Sequence, residues 1–155
     1  MPRVYVGLGS NLGDRDAHLA AALAALAELG VVPRASRRYR SAPVGYLEQP
    51  EFLNQVAEFD TPLAPRALLA ALQAIEARLG RAASFRNAPR VIDLDILLYD
   101  DVVLDEPGLR IPHPRLAERA FVLRPLAELI DHVQGAPIAE LVERVADQHA
   151  EPIDA

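Results

Sequence analysis

At 155 residues, 51% hydrophobic and 25% charged, the chain is long enough for one ordinary domain with a core, and is neither disordered nor membrane-like. A net charge of −6 argues against broad, sequence-independent nucleic-acid binding. Cysteine is absent, which excludes a disulfide framework, a thiolate metal site and a cysteine nucleophile.

The longest uncharged apolar run, Leu19 to Ala27, is too short to cross a bilayer, and no basic-then-apolar leader opens the chain. The expectation is a single domain over 1–155, soluble, cytoplasmic and monomeric, that binds neither membrane nor nucleic acid. His18, His113, His132 and His149 are scattered, so zinc has little to build on. A metal here is expected to take oxygen ligands, as Mg²⁺ or Mn²⁺ does.

In chain order, "RVYVGLG" (3–9) reads as a first strand. A helix follows from about Asp14 to Leu29: Leu19, Leu23 and Leu26 recur at helical spacing, acids fill its first turn and Gly30 stops it. The glycines of "GLGSNLG" are expected to permit a tight turn, braced by Ser10 and Asn11. A dinucleotide fingerprint is the competing reading. Its third glycine comes one place late, and "VVPRAS" offers no acid for a ribose.

Residues 31–41 suggest a second strand, 42–51 a loop and 52–60 a third strand. Pro62 and Pro65 introduce a helix with the stripe Leu68, Leu72, Ile75 and Leu79, closed by Gly80. Loop 81–89 leads into "PRVIDLDILLYDD" (89–101), a strand. The order βαββαβ is that of a ferredoxin-like α+β sandwich, with a mostly antiparallel sheet and helices on one face. A proline-rich loop follows, with extra C-terminal helices near 115–118, 124–130 and 137–147. Residues 134–155 carry no chemical motif and read as a packing helix with a loose acidic end.

Alternation along the last strand puts Ile92, Leu94, Ile96 and Leu98 on one face, and Asp93 and Asp95 on the other, roughly 7 Å apart. Two carboxylates so placed repel unless water or a cation separates them. A solvated strand face is the plain explanation, but Val91 and Leu97 share it. With Arg81, Arg86 and Arg90 close in sequence, the pair also suits a Mg²⁺–polyphosphate site. In "IPHPRLAERAF", two prolines set His113 rigidly before Arg115 and Arg119, so phosphate contact competes with ordinary solvation. Phe52 and Phe121 are core residues by default. A flat heterocycle held between two rings, its edge read by Asn54, is the sharper alternative. Gln73 and Glu76, one turn apart, suit a solvated helix face.

Together "GLGSNLGD", "SAPVG", "QPEFLNQV", "QAIEARLGR", "APRVIDLDILLYDD" and "IPHPRLAERAFVLRPL" resemble, in order, the 6-hydroxymethyl-7,8-dihydropterin pyrophosphokinase family of folate biosynthesis, over residues 3 to about 130. The resemblance implies a ferredoxin-like fold, ATP as co-substrate, two Mg²⁺ ions, and pyrophosphoryl transfer to the pterin with release of AMP. It implies that Asp93 and Asp95 bind both metals, and that Arg81, Arg90, His113 and Arg119 hold ATP phosphates and help the transfer. Phe52 and Phe121 would stack on the pterin and Asn54 would read it, with Ser41, Ala42 and Val44 bordering it. Gln73 and Glu76 would line the nucleotide side and Ile96 would lie near the adenine. The loop "GRAASFRNAPR" departs from the family pattern: Ala83 and Ala88 stand where a basic residue and a glycine are common, and Arg86 is the remaining loop arginine. Loops 42–51 and 82–89 are expected to close over both ligands. A ferredoxin-like module that merely binds an effector is the non-enzymatic alternative.

Overall fold

The computed structural model describes residues 1–30, 34–42, 49–80 and 91–153. The expected closure of loops 42–51 and 82–89 falls mainly on 43–48 and 81–90, outside the described residues.

Strand β1 (Arg3–Ser10) leads to α1 (Arg15–Leu26), then to the short strands β2 (Arg34–Ala35) and β3 (Arg38–Ser41). Strand β4 (Phe52–Asp60), helix α2 (Pro65–Arg78) and strand β5 (Asp93–Tyr99) complete the βαββαβ order. The strands pair antiparallel throughout, in the order β10-β3-β4-β1-β5, where β10 is Ala150–Ile153. The ferredoxin-like expectation holds.

Alternation explains the layers. Val4, Val6 and Leu8 of β1 pack with Leu19 and Leu26 of α1 and Leu68, Leu72 and Ile75 of α2, forming the core beneath one face. Tyr5 points the other way, into a second cluster with Val56, Leu97, Leu98, Leu123, Leu126 and Leu141. That second face is covered by α3 (Ala120–Leu126) and α4 (Ile138–Arg144). Full burial of a Leu side chain is worth about 2 kcal/mol, so Leu123, Leu126 and Leu141 of the C-terminal helices contribute to holding the sheet as well.

Several elements differ from the sequence reading. The expected second strand is split: Ser36 donates its N–H to Val56 O (2.9 Å) and accepts from Val56 N–H through Oγ (3.0 Å), which interrupts the ladder between β2 and β3. Helix α1 is shorter than 14–29. Asp14 caps it by accepting from Ala17 N–H (3.1 Å), while Asn11 reaches away to Gln49 Oε1 (2.7 Å) and Pro50 O (3.0 Å). Gly30 has a different reason to be glycine: a Cβ there would lie 2.0 Å from Asp60 O.

In β5 the register shifts: Val6 faces Ile96 but Tyr5 faces Leu98, leaving Leu97 as a bulge. Leu98 therefore joins Leu97 in the second cluster instead of sharing a face with Ile92, Leu94 and Ile96.

The stretch read as a proline-rich loop holds a hairpin, β6 (Leu104–Glu106) and β7 (Leu109–Ile111). The helix expected over 124–130 is α3 instead, over 120–126 with Pro125 in its last turn; a 3₁₀ turn at Leu116–Glu118 precedes it. A second hairpin, β8 (His132–Val133) and β9 (Ala136–Pro137), turns through Gln134 and Gly135, both at positive φ as a two-residue hairpin turn requires. The end read as loose is β10, paired along β3 from Ala150–Ser41 to Ile153–Arg38.

Candidate functional site

The cleft begins where the second face of β1 loses its side chains. Tyr5, Gly7 and Gly9 share that face, and the two glycines leave the floor bare. Gly9 stands between Asn54 on β4 and Asp93 on β5; Gly7 stands between Val56 and Asp95. At a strand spacing of about 4.8 Å, Asn54 and Asp93 face each other across roughly 10 Å of open floor. These glycines lie within the strand; they do not form the turn the sequence suggested. A Cβ on Gly9 would lie 3.3 Å from Asn54 Oδ1 and 3.6 Å from Phe52 Cδ1, inside the cleft.

Of the residues singled out in the sequence, Ser41, Ala42, Phe52, Asn54, Asp93, Asp95, His113, Arg119 and Phe121 line this one cleft. On one side Phe52 and Phe121 are half-buried, each with ring surface left to offer. The buried Asn54 donates from Nδ2 to Ser41 Oγ (2.7 Å), which orients the amide and turns Oδ1 toward Gly9. The Ser41 hydroxyl is thus the part of that residue that positions Asn54.

On the other side, Asp93 and Asp95 project from β5 and are partly exposed. His113 Nε2 lies 4.0 Å from Asp95 Oδ2. Burial pushes the His113 imidazole below its ordinary 6.5, helped by the positive charges of Arg119 and Arg115 and opposed by Asp93. The ring is therefore neutral near pH 7. Its Nδ1 accepts the Arg115 N–H (3.2 Å), so the proton sits on Nε2, the atom that faces Asp95. Arg119 is half-buried and lies over the Phe121 ring (5.4 Å). Burial and Arg115 lower its pKa while Asp95 and Asp93 oppose this, but a guanidinium stays charged regardless.

A second hollow adjoins the first beyond β5, walled by Leu69, Ile96, Leu109, Arg110 and Pro114 and sharing Asp95 and His113 with the cleft. Ile96 belongs to this hollow and not to the floor beside Asn54. Gln73 is exposed on α2 and lines neither. Glu76 is buried, and its carboxylate accepts the Leu94 N–H (2.8 Å), tying α2 to the start of the Asp-bearing strand. Val44, Arg81, Arg86 and Arg90 lie outside the described residues.

Sequence reasoning missed Gly7 and Gly9 as cleft residues, although their alternation with Val6 and Leu8 was there to read. Gln55, whose Nε2 donates to Ser36 O (2.7 Å), also borders the cleft and had no local signal.

Among the described residues no three His, Asp or Glu side chains gather to enclose a metal ion. Two partly exposed carboxylates over a glycine floor suit a hard cation that fills the rest of its shell from water and phosphate. The donor set thus fits Mg²⁺ bound jointly with a polyphosphate.

The family model described as 7,8-dihydro-6-hydroxymethylpterin-pyrophosphokinase (HPPK) matches residues 5–131, which includes every described cleft residue. The chain is similar to the 2-amino-4-hydroxy-6-hydroxymethyldihydropteridine pyrophosphokinase of Pseudomonas aeruginosa, 50% identical over 129 residues covering 82% of this chain and 80% of that protein. It is 45% identical to the Bacillus subtilis protein of the same name over 132 residues, 84% of this chain and 79% of that one. The folic acid synthesis protein fol1 of Pneumocystis carinii is 40% identical over 155 residues, covering 97% of this chain, which spans only 21% of that longer protein. A Plasmodium falciparum HPPK-DHPS crystal structure superposes with a TM-score of 0.74 at 15% identity, over 94% of this chain and 43% of that one, which is a likeness of fold. No helix among the described residues is long and apolar enough to cross a membrane. The chain belongs to the 7,8-dihydro-6-hydroxymethylpterin-pyrophosphokinase family, transferases of folate synthesis that carry pyrophosphate to hydroxymethyldihydropterin.

Proposed function

We propose that this chain transfers the β,γ-pyrophosphoryl group of ATP to the hydroxymethyl oxygen of 6-hydroxymethyl-7,8-dihydropterin, using Mg²⁺ held at Asp93 and Asp95. The observation that carries the reading is the row Asn54–Gly9–Asp93 across three strands. It sets a hydrogen-bonding amide for a flat heterocycle and a carboxylate for a cation on opposite sides of a bare floor. The pterin ring fits between Phe52 and Phe121, its polar edge against Asn54 and its hydroxymethyl group pointing over Gly9 toward the carboxylates. Ser41, Ala42 and Val44 border it.

The acceptor oxygen attacks the β-phosphorus, the bond from that phosphorus to the α,β-bridging oxygen breaks, AMP leaves, and the hydroxyl proton passes to solvent water. Two Mg²⁺ ions bound at Asp93 and Asp95 would neutralise triphosphate charge as it redistributes. Arg119 supplies a half-buried cation, and partial loss of water strengthens its hold on phosphate oxygens. His113 supplies a neutral Nε2–H donor to the same group. Arg81, Arg86 and Arg90 complete the phosphate contacts, and the adenine occupies the hollow beside Ile96, which neither Gln73 nor Glu76 lines. The protein supplies position and charge, and covalent chemistry is not asked of it. The chain acts as one domain over 1–155, as a monomer in the cytoplasm.

The test is direct: protein, Mg²⁺, ATP and hydroxymethyldihydropterin, with nucleotides separated by chromatography. AMP formed only when the pterin is present is the expected result. ADP alone, or AMP independent of pterin, overturns the proposal.

A further inference from the structure

Helix α3 carries two residues of the cleft at its very start, Arg119 as its N-cap and Phe121 one residue inside. A helix start leaves N–H groups unpaired, and Arg119 has no side-chain acceptor to cap them. The acceptor comes from elsewhere in the chain. Gln148 Oε1 accepts the Ala120 N–H at 2.9 Å, and Gln148 Nε2 donates to Glu118 O at 2.8 Å. One carboxamide thus grips the backbone on both sides of Arg119, whose own φ of −126° and ψ of 114° set where its guanidinium points.

The platform beneath Gln148 is itself anchored. Its N–H donates to Val145 O (3.0 Å) at the end of α4. Two residues on, Ala150 opens β10, pairs with Ser41 of the cleft wall and accepts a hydrogen bond from Arg124 of α3. Gln148, Val145 and Ala150 themselves lie beyond residue 131, outside the part that the family model matches.

We propose that Gln148 is a positioning residue for the transfer reaction, clamping the peptides that flank Arg119 so that its guanidinium and the Phe121 ring face the carboxylates across the cleft. The inference rests on the pyrophosphokinase reading above. Rotation about Arg119 would swing its guanidinium off the phosphates and tilt the ring that stacks on the pterin. A side chain that holds both peptides removes that freedom before the ligands arrive.

The experiment compares wild type with Gln148→Met, which matches the length but neither donates nor accepts, and with Gln148→Glu, which keeps only the acceptor. Steady-state assays run well below each protein's thermal midpoint, scoring pterin-dependent AMP. Gln148→Met is expected to lower kcat about tenfold, and Gln148→Glu to lose about as much, because a carboxylate oxygen repels the Glu118 carbonyl to which the amide donated. Should Gln148→Met not fold, Gln148→Asn, too short to span both peptides, takes its place with the same expected loss. A purely structural role would shift the melting temperature and leave kcat and both KM values within about twofold of wild type, and that result overturns the proposal. A wild-type protein that forms no pterin-dependent AMP overturns the pyrophosphokinase reading, and this inference with it.

Discussion

The Asn54 amide reaches the cleft already oriented, because its Nδ2 donates to the buried Ser41 Oγ at 2.7 Å. Residues 41 and 54 sit on neighbouring strands, so the sheet itself holds the group proposed to read the pterin edge. Ser41→Ala removes this bond and lets the amide rotate. A buried hydrogen bond of this kind is worth about 1 kcal/mol. The KM for the pterin should rise about fivefold to tenfold with the KM for ATP unchanged, as the equivalent change in binding energy requires. Steady-state kinetics with each substrate varied in turn checks it.

Asp93→Asn and Asp95→Asn preserve shape while removing one negative charge from a pair that shares a strand face. Activity should fall by orders of magnitude, since an amide is a weak ligand for a hard cation. The fold should survive either change, since both side chains are partly exposed and the substitution preserves shape. Near-normal turnover of either variant at saturating Mg²⁺ would falsify the metal assignment.

Two glycines give contrasting outcomes. Gly9→Ala adds a methyl group 3.3 Å from Asn54 Oδ1, so the amide must give by a small displacement; stability should fall by less than about 1 kcal/mol while pterin affinity drops about tenfold or more. Gly30→Ala drives a methyl group to 2.0 Å from the backbone oxygen of Asp60. The α1 terminus or the end of β4 must move, at a cost of about 3 kcal/mol. Urea unfolding of both variants, with a pterin titration of the first, separates these effects.

Glu76 acts through the fold. Its buried carboxylate takes the Leu94 N–H at 2.8 Å, between the two aspartates in sequence. Glu76→Ala leaves that N–H buried and unsatisfied and should cost about 2 kcal/mol of stability. Glu76→Gln keeps an acceptor oxygen, so most of that stability should return. Chemical denaturation measures the difference.

Glu128 gives the fold part of its acid sensitivity. Burial alone would raise its pKa, but hydrogen bonds from the Tyr39 hydroxyl, the Arg37 N–H and the Arg37 guanidinium outweigh this and hold it below the ordinary 4.5. A folded pKa below the unfolded one means the stabilisation is fully present above about pH 4.5 and is lost as pH falls through the depressed folded value. Glu128→Gln should therefore lower the melting temperature at pH 7 and leave a shallower decline on acidification. Melts from pH 7 down to about pH 3 test this.

The amino-acid sequence by itself determined the βαββαβ order and much of the chemistry. Period-two alternation in 93–96 put both aspartates on one face, helical spacing marked α1 and α2, and ordered motifs pointed to Phe52, Asn54, His113, Arg119 and Phe121. These signals are local, carried by neighbours a few residues apart. What the tertiary structure decided depends on register between distant strands. Gly7 and Gly9 become a cleft floor only because β4 and β5 bring Asn54 and Asp93 to either side of them. Leu98 changes face because Leu97 bulges opposite the Tyr5–Val6 step. The covering of the second face by α3 and α4 joins residues such as Tyr5 and Leu141, far apart in the chain. Gln148 meets the start of α3 from 28 residues downstream of Ala120. No local pattern encodes such pairings, because burial and hydrogen-bond satisfaction select them only once the whole sheet has assembled.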